Sequence, residues 1–301
     1  MISVIIPCHN CEKSIARAIE SVLSQIYVDY EIILVNNNSS DNTIGVINDY
    51  KKNYPSIIRI LHENKKGASA ARNKGLYEAK GEWIQYLDAD DELMPDKLGR
   101  QLKILIENTA DIIAGCFIRV KMEKTKLRQT VVMPDTKDVW LSLISSNLGR
   151  TSSILWKRQT LIAVNGWNEM LSSSQEYDLL FRALKRQAKI CFDTKPSTFI
   201  YISTNSISNS IDKERNSQIF SNWLKLRLAI KGYLKENGFL NNEINQAIDI
   251  VIFDYLRHRE HLSPNYVTNK LRNLTLDLPF NLKLKRFLVL QKFKMISIIK
   301  K

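Results

Sequence analysis

The sequence predicts an α/β protein: a doubly wound, mostly parallel central sheet with helices on both faces, followed by a helical C-terminal extension. Three observations carry this. Short β-branched runs alternate with helical patterns three times over before Asp88. Those runs are apolar at nearly every position instead of alternating, as in strands buried on both faces. From about Ser217 the pattern is helical throughout.

The elements follow in order. "ISVIIP" is the first strand, and "EKSIARAIESVLSQ" sets Ile15, Ala18, Ile19, Val22 and Leu23 on one helical face. "EIILV" is the second strand. "NNNSSDNT" is a polar turn suited to capping the helix "TIGVINDYKKNY". "IIRILHE" is the third strand, "GASAARNKGLYEAKG" a helix closed by Gly81, and "EWIQYL" the fourth strand. Pro95 opens a helix through about Glu107, and "ADIIAGCFIRV" reads as a strand. Between about Lys121 and Met133 a basic segment shows no clear period. "SSILWKRQTLIAVNGWNEM" reads as a strand, a short helix and a Gly-containing turn. "SQEYDLLFRALKRQA" is a helix facing inward through Tyr177, Leu180, Phe181 and Leu184, and "KICFDT" and "TFIYIS" are strands. A break near residue 210 separates 1–210 from a basic extension, 211–301.

Composition narrows the function. With 301 residues, 44% of them hydrophobic and 25% charged, the chain is neither disordered nor an integral membrane protein. "MISVIIPCHN" has no basic start, and no apolar stretch reaches about 18 residues, so a cytoplasmic location is expected. Cys8 and Cys11 form a C-x-x-C with no second Cys or His pair nearby, which favours a plain turn over zinc or redox chemistry. The net charge of +13 admits nucleic acid, anionic lipid or an acidic substrate. No G-x-x-x-x-G-K-[ST] or G-x-G-x-x-G is present, which argues against a P-loop NTPase and a standard dinucleotide-binding domain.

Ligands of such sheets bind at the carboxyl ends of the strands. Here those ends are polar: Pro7 to Asn10, Asn36 to Ser39, and Asp88-Ala89-Asp90-Asp91. Asp88 and Asp90 lie two apart, so on an extended segment both face one way and suit Mg²⁺ or Mn²⁺ bridging to substrate phosphates. The plain alternative is a solvated turn or helix cap. A nucleotide-sugar transferase and a nucleotidyltransferase both remain open at this point.

The blocks "ISVIIPCHN", "EIILVNNNSSDNT", "NKKGASAARNKGLYEAKGEWIQYLDADDELMP" and "GWNEMLSSSQEYDLLFR" resemble, in this order, those of family 2 glycosyltransferases. The resemblance covers about residues 1 to 205. It implies the GT-A fold, a nucleotide-diphosphate sugar donor, Mn²⁺ or Mg²⁺, and inversion at the anomeric carbon. It implies a nucleotide-sugar half, 1–120, and an acceptor half, 121–210. Pro7, Asn10 and Ser39 then lie beside base and ribose, and Asn37 stands where an Asp usually contacts uracil. Arg72 falls near the diphosphate or base, Asp88 and Ala89 near the ribose, and Asp90 on the metal. Gly166 and Trp167 resemble the acceptor-side loop, with Trp167 either packing or a sugar platform. Glu176 takes the place of the carboxylate that serves as general base.

The chemistry is consistent with these assignments. An attacking hydroxyl needs a base near neutral pH, and the leaving diphosphate needs its charge offset. Asp178 is the rival carboxylate; it faces elsewhere on the helix and has Arg182 at i+4. Asn37 leaves the base open between uracil, thymine and guanine, with UDP- or dTDP-type donors favoured. A sugar-phosphate nucleotidyltransferase would want a Gly-rich loop after the first strand, and "PCHNCEKS" has none. A non-catalytic nucleic-acid-binding role would want basic and aromatic residues interleaved along a groove, and no such motif appears. Residues 212–301 hold 17 basic and 8 acidic residues, and 281–301 hold seven basic and no acidic ones. That last stretch reads either as an amphipathic helix for the anionic inner face of a membrane, where a lipid-linked glycan acceptor is met, or as a packed helix with a solvated face.

Overall fold

The computed structural model describes residues 1–123, 126–202 and 212–299. Along the chain, β1 (Ile2–Cys8), α1 (Ile15–Leu23), β2 (Tyr30–Asn36), α2 (Thr43–Asn53), β3 (Ile58–His62), α3 (Ala68–Glu78) and β4 (Trp83–Tyr86) alternate as expected. A two-residue strand, β5 (Glu92–Leu93), precedes α4 (Lys97–Glu107), β6 (Ile112–Gly115), β7 (Phe117–Glu123) and β8 (Lys126–Val132). Then come α5 (Val139–Ser145), β9 (Ile154–Lys157), α6 (Arg158–Ala163), α7 (Gln175–Lys185), β10 (Ile190–Asp193) and β11 (Thr198–Ile202). The helices α8 (Lys213–Glu236), α9 (Asn242–His258), α10 (Pro264–Asn273) and α11 (Phe280–Ile299) end the described chain.

The chain divides into two compact units. The first takes Met1–Ser142, Ser146–Leu171 and Gln175 through β11. Its main sheet has the order β10-β6-β9-β4-β1-β2-β3. All its pairings are parallel except those of β9, which runs antiparallel between β4 and β6. β1 is an inner strand, flanked by β2 and β4, and its Ile2, Val4, Ile5 and Ile6 are fully buried. α1 packs on it through the face read from its period, with Ile15, Ala18, Ile19 and Val22 buried and Leu23 partly so. That match reflects a helix whose only apolar stripe has one place to go.

A second sheet, β5-β11-β7-β8, was not legible in the sequence. The run read as one strand, "ADIIAGCFIRV", splits into β6 of the main sheet and the start of β7, and the unpatterned basic segment forms the end of β7 and all of β8, apart from Lys124 and Thr125, which lie outside the described residues. β8 is an exposed edge strand, so no buried face imposes an alternation on it. A second difference concerns Gly81. The helix it was expected to close ends at Glu78, with Ala79 as cap. Gly81 instead lies against β1, where a Cβ would meet the Ser3 backbone nitrogen at 2.6 Å.

The second unit takes Leu143–Ser145, Ser172–Ser174 and the helices from α8 onward. The expected break near residue 210 lies outside the described residues. Asp212 and Asn241 cap α8 and α9 by accepting backbone N–H groups of Glu214 and Ile244, and Pro264 starts α10. The core is formed by Leu224, Ile230 and Leu234 of α8, Ile248, Ile252, Phe253 and Leu256 of α9, and Val267 and Leu271 of α10. Among the described residues no helix is long and apolar enough to cross a membrane.

Candidate active site

The first two strand ends interlock. The Asn37 N–H donates to the Cys8 carbonyl at 2.8 Å, and His9 Nδ1 lies 2.7 Å from the Asn37 carbonyl oxygen. Asn10, at φ 49°, donates its N–H to Ser39 Oγ at 3.2 Å, while its Oδ1 accepts the Ser40 N–H at 2.8 Å. Asn10, Asn37 and Ser39 are therefore brought together at the ends of β1 and β2, and Pro7 lies just before them on β1, paired with Val35.

Asn37 has a further task. Its Nδ2 donates to the carbonyls of Glu63 and Lys65 at 2.7 and 2.8 Å, and its Oδ1 accepts the Gly67 N–H at 2.8 Å. Buried to 5% exposure, the side chain ties the loop that enters α3 to the end of β2. An Asp there could not donate to those two carbonyls.

α3 brings Arg72 against the third strand end. Its Nη2 donates to Asp88 Oδ1 at 2.6 Å, and its guanidinium lies 4.5 Å above the Trp167 ring. Arg72 is nearly buried, and its Nε has no partner among the described residues, so one N–H is unspent. Trp167, 2% exposed, meets the edge of Tyr86 at 5.1 Å on the ring centroids. The indole is thus packed between Arg72 and Tyr86.

The next residue on the helix, Asn73, holds the Gly166–Trp167 loop. Its Oδ1 accepts the Trp167 N–H at 2.8 Å, and its Nδ2 donates to the Trp167 carbonyl at 2.9 Å and to Glu169 Oε1 at 2.7 Å. Gly166 has φ +60°, and a Cβ there would lie 2.4 Å from Asn73 Oδ1, so the tight approach requires glycine. Lys65 pairs with Glu169 at 2.5 Å.

The carboxylate loop is braced on several sides. Arg17 of α1 donates to the Asp90 carbonyl at 2.6 Å, pairs with Glu92 at 2.9 Å and stacks 3.9 Å over Tyr201. Asp91 is buried, accepting from Ser152 Oγ at 2.6 Å and from the Tyr201 N–H at 3.1 Å. Burial, and then the charge of Asp88, push the Asp90 carboxyl up and the Asp91 carboxyl well up. Three crowded carboxylates are thus held against their mutual repulsion.

Among the described residues no group of three His, Cys, Asp or Glu side chains is placed to hold a metal ion. Magnesium-class ions need only one or two carboxylates when substrate phosphates complete the shell. Asp88 and Asp90 fit that requirement as hard oxygen donors whose repulsion an ion relieves. The fit is to an ion arriving with a diphosphate, not to a protein-only cage.

Glu176, in the first turn of α7, accepts from Thr151 Oγ1 at 3.0 Å and pairs with Arg150 at 3.2 Å. Asp178 accepts from Arg182 Nε at 2.8 Å, the pairing expected from their spacing, and Arg182 also donates to the Val164 carbonyl. The two carboxylates are thereby separated: Asp178 is spent on the helix and the loop before Gly166, while Glu176 faces residues 150 and 151. Sequence reasoning placed Asp91 in the polar strand end without giving it a role, and missed Arg17, Asn73, Arg150, Thr151 and Ser152. Of these only Asn73 carried a usable signal, as the neighbour of Arg72 in "ARN"; the others meet the site through tertiary contacts from distant segments.

Comparison with known proteins fits this geometry. The family model described as glycosyl transferase family 2 matches residues 3–167, more than half of the chain. An uncharacterized glycosyltransferase of Haemophilus influenzae is 28% identical over 211 residues, 70% of this chain and 82% of the relative. A Pasteurella multocida chondroitin synthase is 26% identical over 241 residues, 77% of this chain but 24% of its own length. The chain likewise spans only 33% of a Rickettsia felis glycosyltransferase to which it is 33% identical. The structure of S. aureus TarS residues 1–349 with UDP-GlcNAc aligns with a TM-score of 0.63 at 17% identity, covering 91% of this chain and 76% of that one. The Pyrobaculum calidifontis mannosyltransferase PcManGT, in complex with GDP-Man and Mn²⁺, aligns at 0.57 and 14% identity, covering 99% and 80%. These structures share the fold of this chain. From the family match, which spans the interlocked strand ends, the carboxylate loop and Trp167, the chain belongs to glycosyl transferase family 2 and is a glycosyltransferase.

Proposed function

We propose that this enzyme transfers a sugar, with inversion, from a UDP- or dTDP-type nucleotide sugar to a hydroxyl of a glycan or lipid-linked acceptor in surface polysaccharide biosynthesis. The observation that carries the reading is the Arg72–Asp88 pair beside the interlocked ends of β1 and β2. It sets a buried cation with one unspent N–H on the first carboxylate of the crowded loop, a combination suited to a nucleotide diphosphate and its ion. Relatives named for chondroitin and teichuronic acid synthesis support the polysaccharide setting.

In this reading Pro7, Asn10 and Ser39 line the nucleoside, and Asn37 acts on the base by holding the 63–67 loop and through the remaining lone pair of Oδ1. Asp88 and Ala89 border the ribose, and Arg72 holds the diphosphate. Mn²⁺ or Mg²⁺ on Asp90 would supply charge neutralisation of the leaving diphosphate. Gly166 and Trp167 form the wall on the acceptor side. Glu176 takes the proton of the attacking hydroxyl; it accepts from Thr151 and Arg150 and retains lone pairs for that proton.

The reading includes contact between 281–301 and the anionic inner face of the membrane. Support comes from α11. Arg286 donates to the carbonyls of Leu271 and Leu274, fixing one side of the helix on α10. On the other side Phe280, Leu284, Phe287 and Leu288, at i, i+4, i+7 and i+8, are each more than half exposed, with Lys283 and Lys285 alongside. Side chains from Lys292 onward lie outside the described residues.

The test is calorimetric binding of UDP, dTDP and GDP with and without Mn²⁺, followed by hydrolysis of a panel of nucleotide sugars. Metal-dependent binding of UDP and dTDP, weakened alike by Asn37→Ala, is expected. Tighter binding of GDP by the unaltered chain overturns the base assignment, and no nucleotide binding at all overturns the reading.

A further inference from the structure

Three consecutive residues, Arg150, Thr151 and Ser152, touch the two carboxylate groups of the site between them. Ser152, fully buried, accepts the Asp88 N–H on its Oγ at 3.1 Å and donates to Asp91 Oδ2 at 2.6 Å. Its carbonyl accepts from Gln85 Nε2 at 3.0 Å and from Thr198 Oγ1 at 3.2 Å. One residue earlier, Thr151 is 5% exposed and gives its hydroxyl to Glu176 Oε2 at 3.0 Å. Arg150 takes Glu176 Oε1 at 3.2 Å from the more open side, being 48% exposed.

The turn itself is rigid. Ser153 Oγ accepts the Arg150 N–H at 2.9 Å and donates to the Arg150 carbonyl at 3.0 Å, closing a single 3₁₀ turn. Tyr177, next to Glu176, donates to the Gly149 carbonyl at 2.9 Å and docks α7 on the same turn. Adjacent Cα atoms are about 3.8 Å apart. The carboxylate loop and Glu176 are thus separated by one peptide unit whose two hydroxyls are committed to opposite sides.

We infer that Arg150–Ser153 is a positioning element that sets the spacing between the donor-side carboxylate loop and the proton-accepting Glu176, with Ser152 and Thr151 as positioning residues for the two sides. This rests on the proposed roles of Asp90 and Glu176. A turn needed only for the fold has no use for buried hydroxyls aimed at carboxylates, since apolar groups of the same shape fill such space without a desolvation cost. Here each hydroxyl is spent on a group tied to the chemistry. Ser152 fixes where the loop leaves β4 and where Asp91 sits. Thr151 and Arg150 hold one oxygen each of Glu176, so the carboxylate cannot rotate away from an incoming hydroxyl.

The two sides separate experimentally. Thr151→Val keeps the shape and removes the hydroxyl. It should lower single-turnover transfer at saturating donor about ten-fold or more, a typical effect of losing a bond to a charged group, while leaving Mn²⁺-dependent UDP affinity within about two-fold. Thr151→Ser, which restores the hydroxyl, should recover the rate. Ser152→Ala should show the opposite split, with UDP–Mn²⁺ affinity falling several-fold and the rate at saturating donor less affected. Arg150→Gln, at a more exposed position, gives a variant of Glu176's other partner that does not depend on core packing; it should lower the rate and spare affinity. The inference is overturned if Thr151→Val transfers at the original rate, or if both core variants lose rate and affinity in equal proportion, as general loosening would produce. If Glu176→Gln itself keeps the original rate, the reading of Glu176 has failed, and Thr151 is then judged by affinity alone: an unchanged value refutes a positioning role there.

Discussion

Asn73 grips Trp167 on both sides of its backbone, accepting its N–H at 2.8 Å and donating to its carbonyl at 2.9 Å. The indole is thereby fixed beneath Arg72, the residue paired with Asp88. The Trp167 loop and the carboxylate loop are thus held by two successive positions of α3, Asn73 and Arg72. Asn73→Ala removes both bonds and a third to Glu169, and leaves buried backbone groups unsatisfied. A loss of about 1–3 kcal/mol is expected. Thermal unfolding and faster hydrogen exchange at residues 166–169 would register it. Unchanged exchange would mean that the Arg72 stack alone holds the loop.

Asp90→Asn should abolish the Mn²⁺ dependence of UDP binding with little change in stability, because that carboxylate is held against repulsion. The pH dependence follows from the same crowding. Asp90 and Asp91 both hold their protons more tightly folded than unfolded. Their protonation therefore favours the folded state at low pH, and this contribution is lost as pH rises through the raised values. The ion requires the opposite state. UDP–Mn²⁺ affinity should begin to fall, as pH is lowered, above the ordinary Asp value of about 3.9. Calorimetry from neutral pH down to the ordinary Asp value of about 3.9, with Asp91→Asn as comparison, decides this; affinity flat over that whole range would refute it.

Glu176→Gln should cut acceptor transfer by about 10²–10⁴-fold while leaving donor affinity nearly unchanged. Asp178→Asn should cost stability through the weakened 2.8 Å contact with Arg182, without slowing the chemical step. Single-turnover transfer over a range of pH compares them. Should the effects be reversed, Asp178 is the base.

Replacing Leu284, Phe287 and Leu288 together by Ser should release the protein from anionic vesicles while leaving donor hydrolysis intact, since all three are more than half exposed. Binding of the unaltered chain should weaken with salt, because each Lys or Arg near an anionic surface is worth about 1 kcal/mol and is screened. Equal co-sedimentation of the two proteins would show that this face does not meet the lipid.

The sequence by itself determined the parallel sheet, because strands buried on both faces must be apolar throughout and helices between them must carry one apolar stripe. It also located the polar strand ends, since ligand-binding residues of such sheets lie next to each strand in the chain. The faces of α1 and α7 and the Asp178–Arg182 pair followed from helical period alone. Tertiary structure decided the rest. β8 has no buried face to impose a pattern, so neither the hairpin nor the second sheet was legible. Asn37 proved to brace the 63–67 loop, a task that depends on where that loop passes. Most of all, Ser152 reaches Asp88 and Asp91 across more than sixty residues. A hydroxyl's partner is set by what the fold carries to within 3 Å of it, and no local period or spacing encodes that.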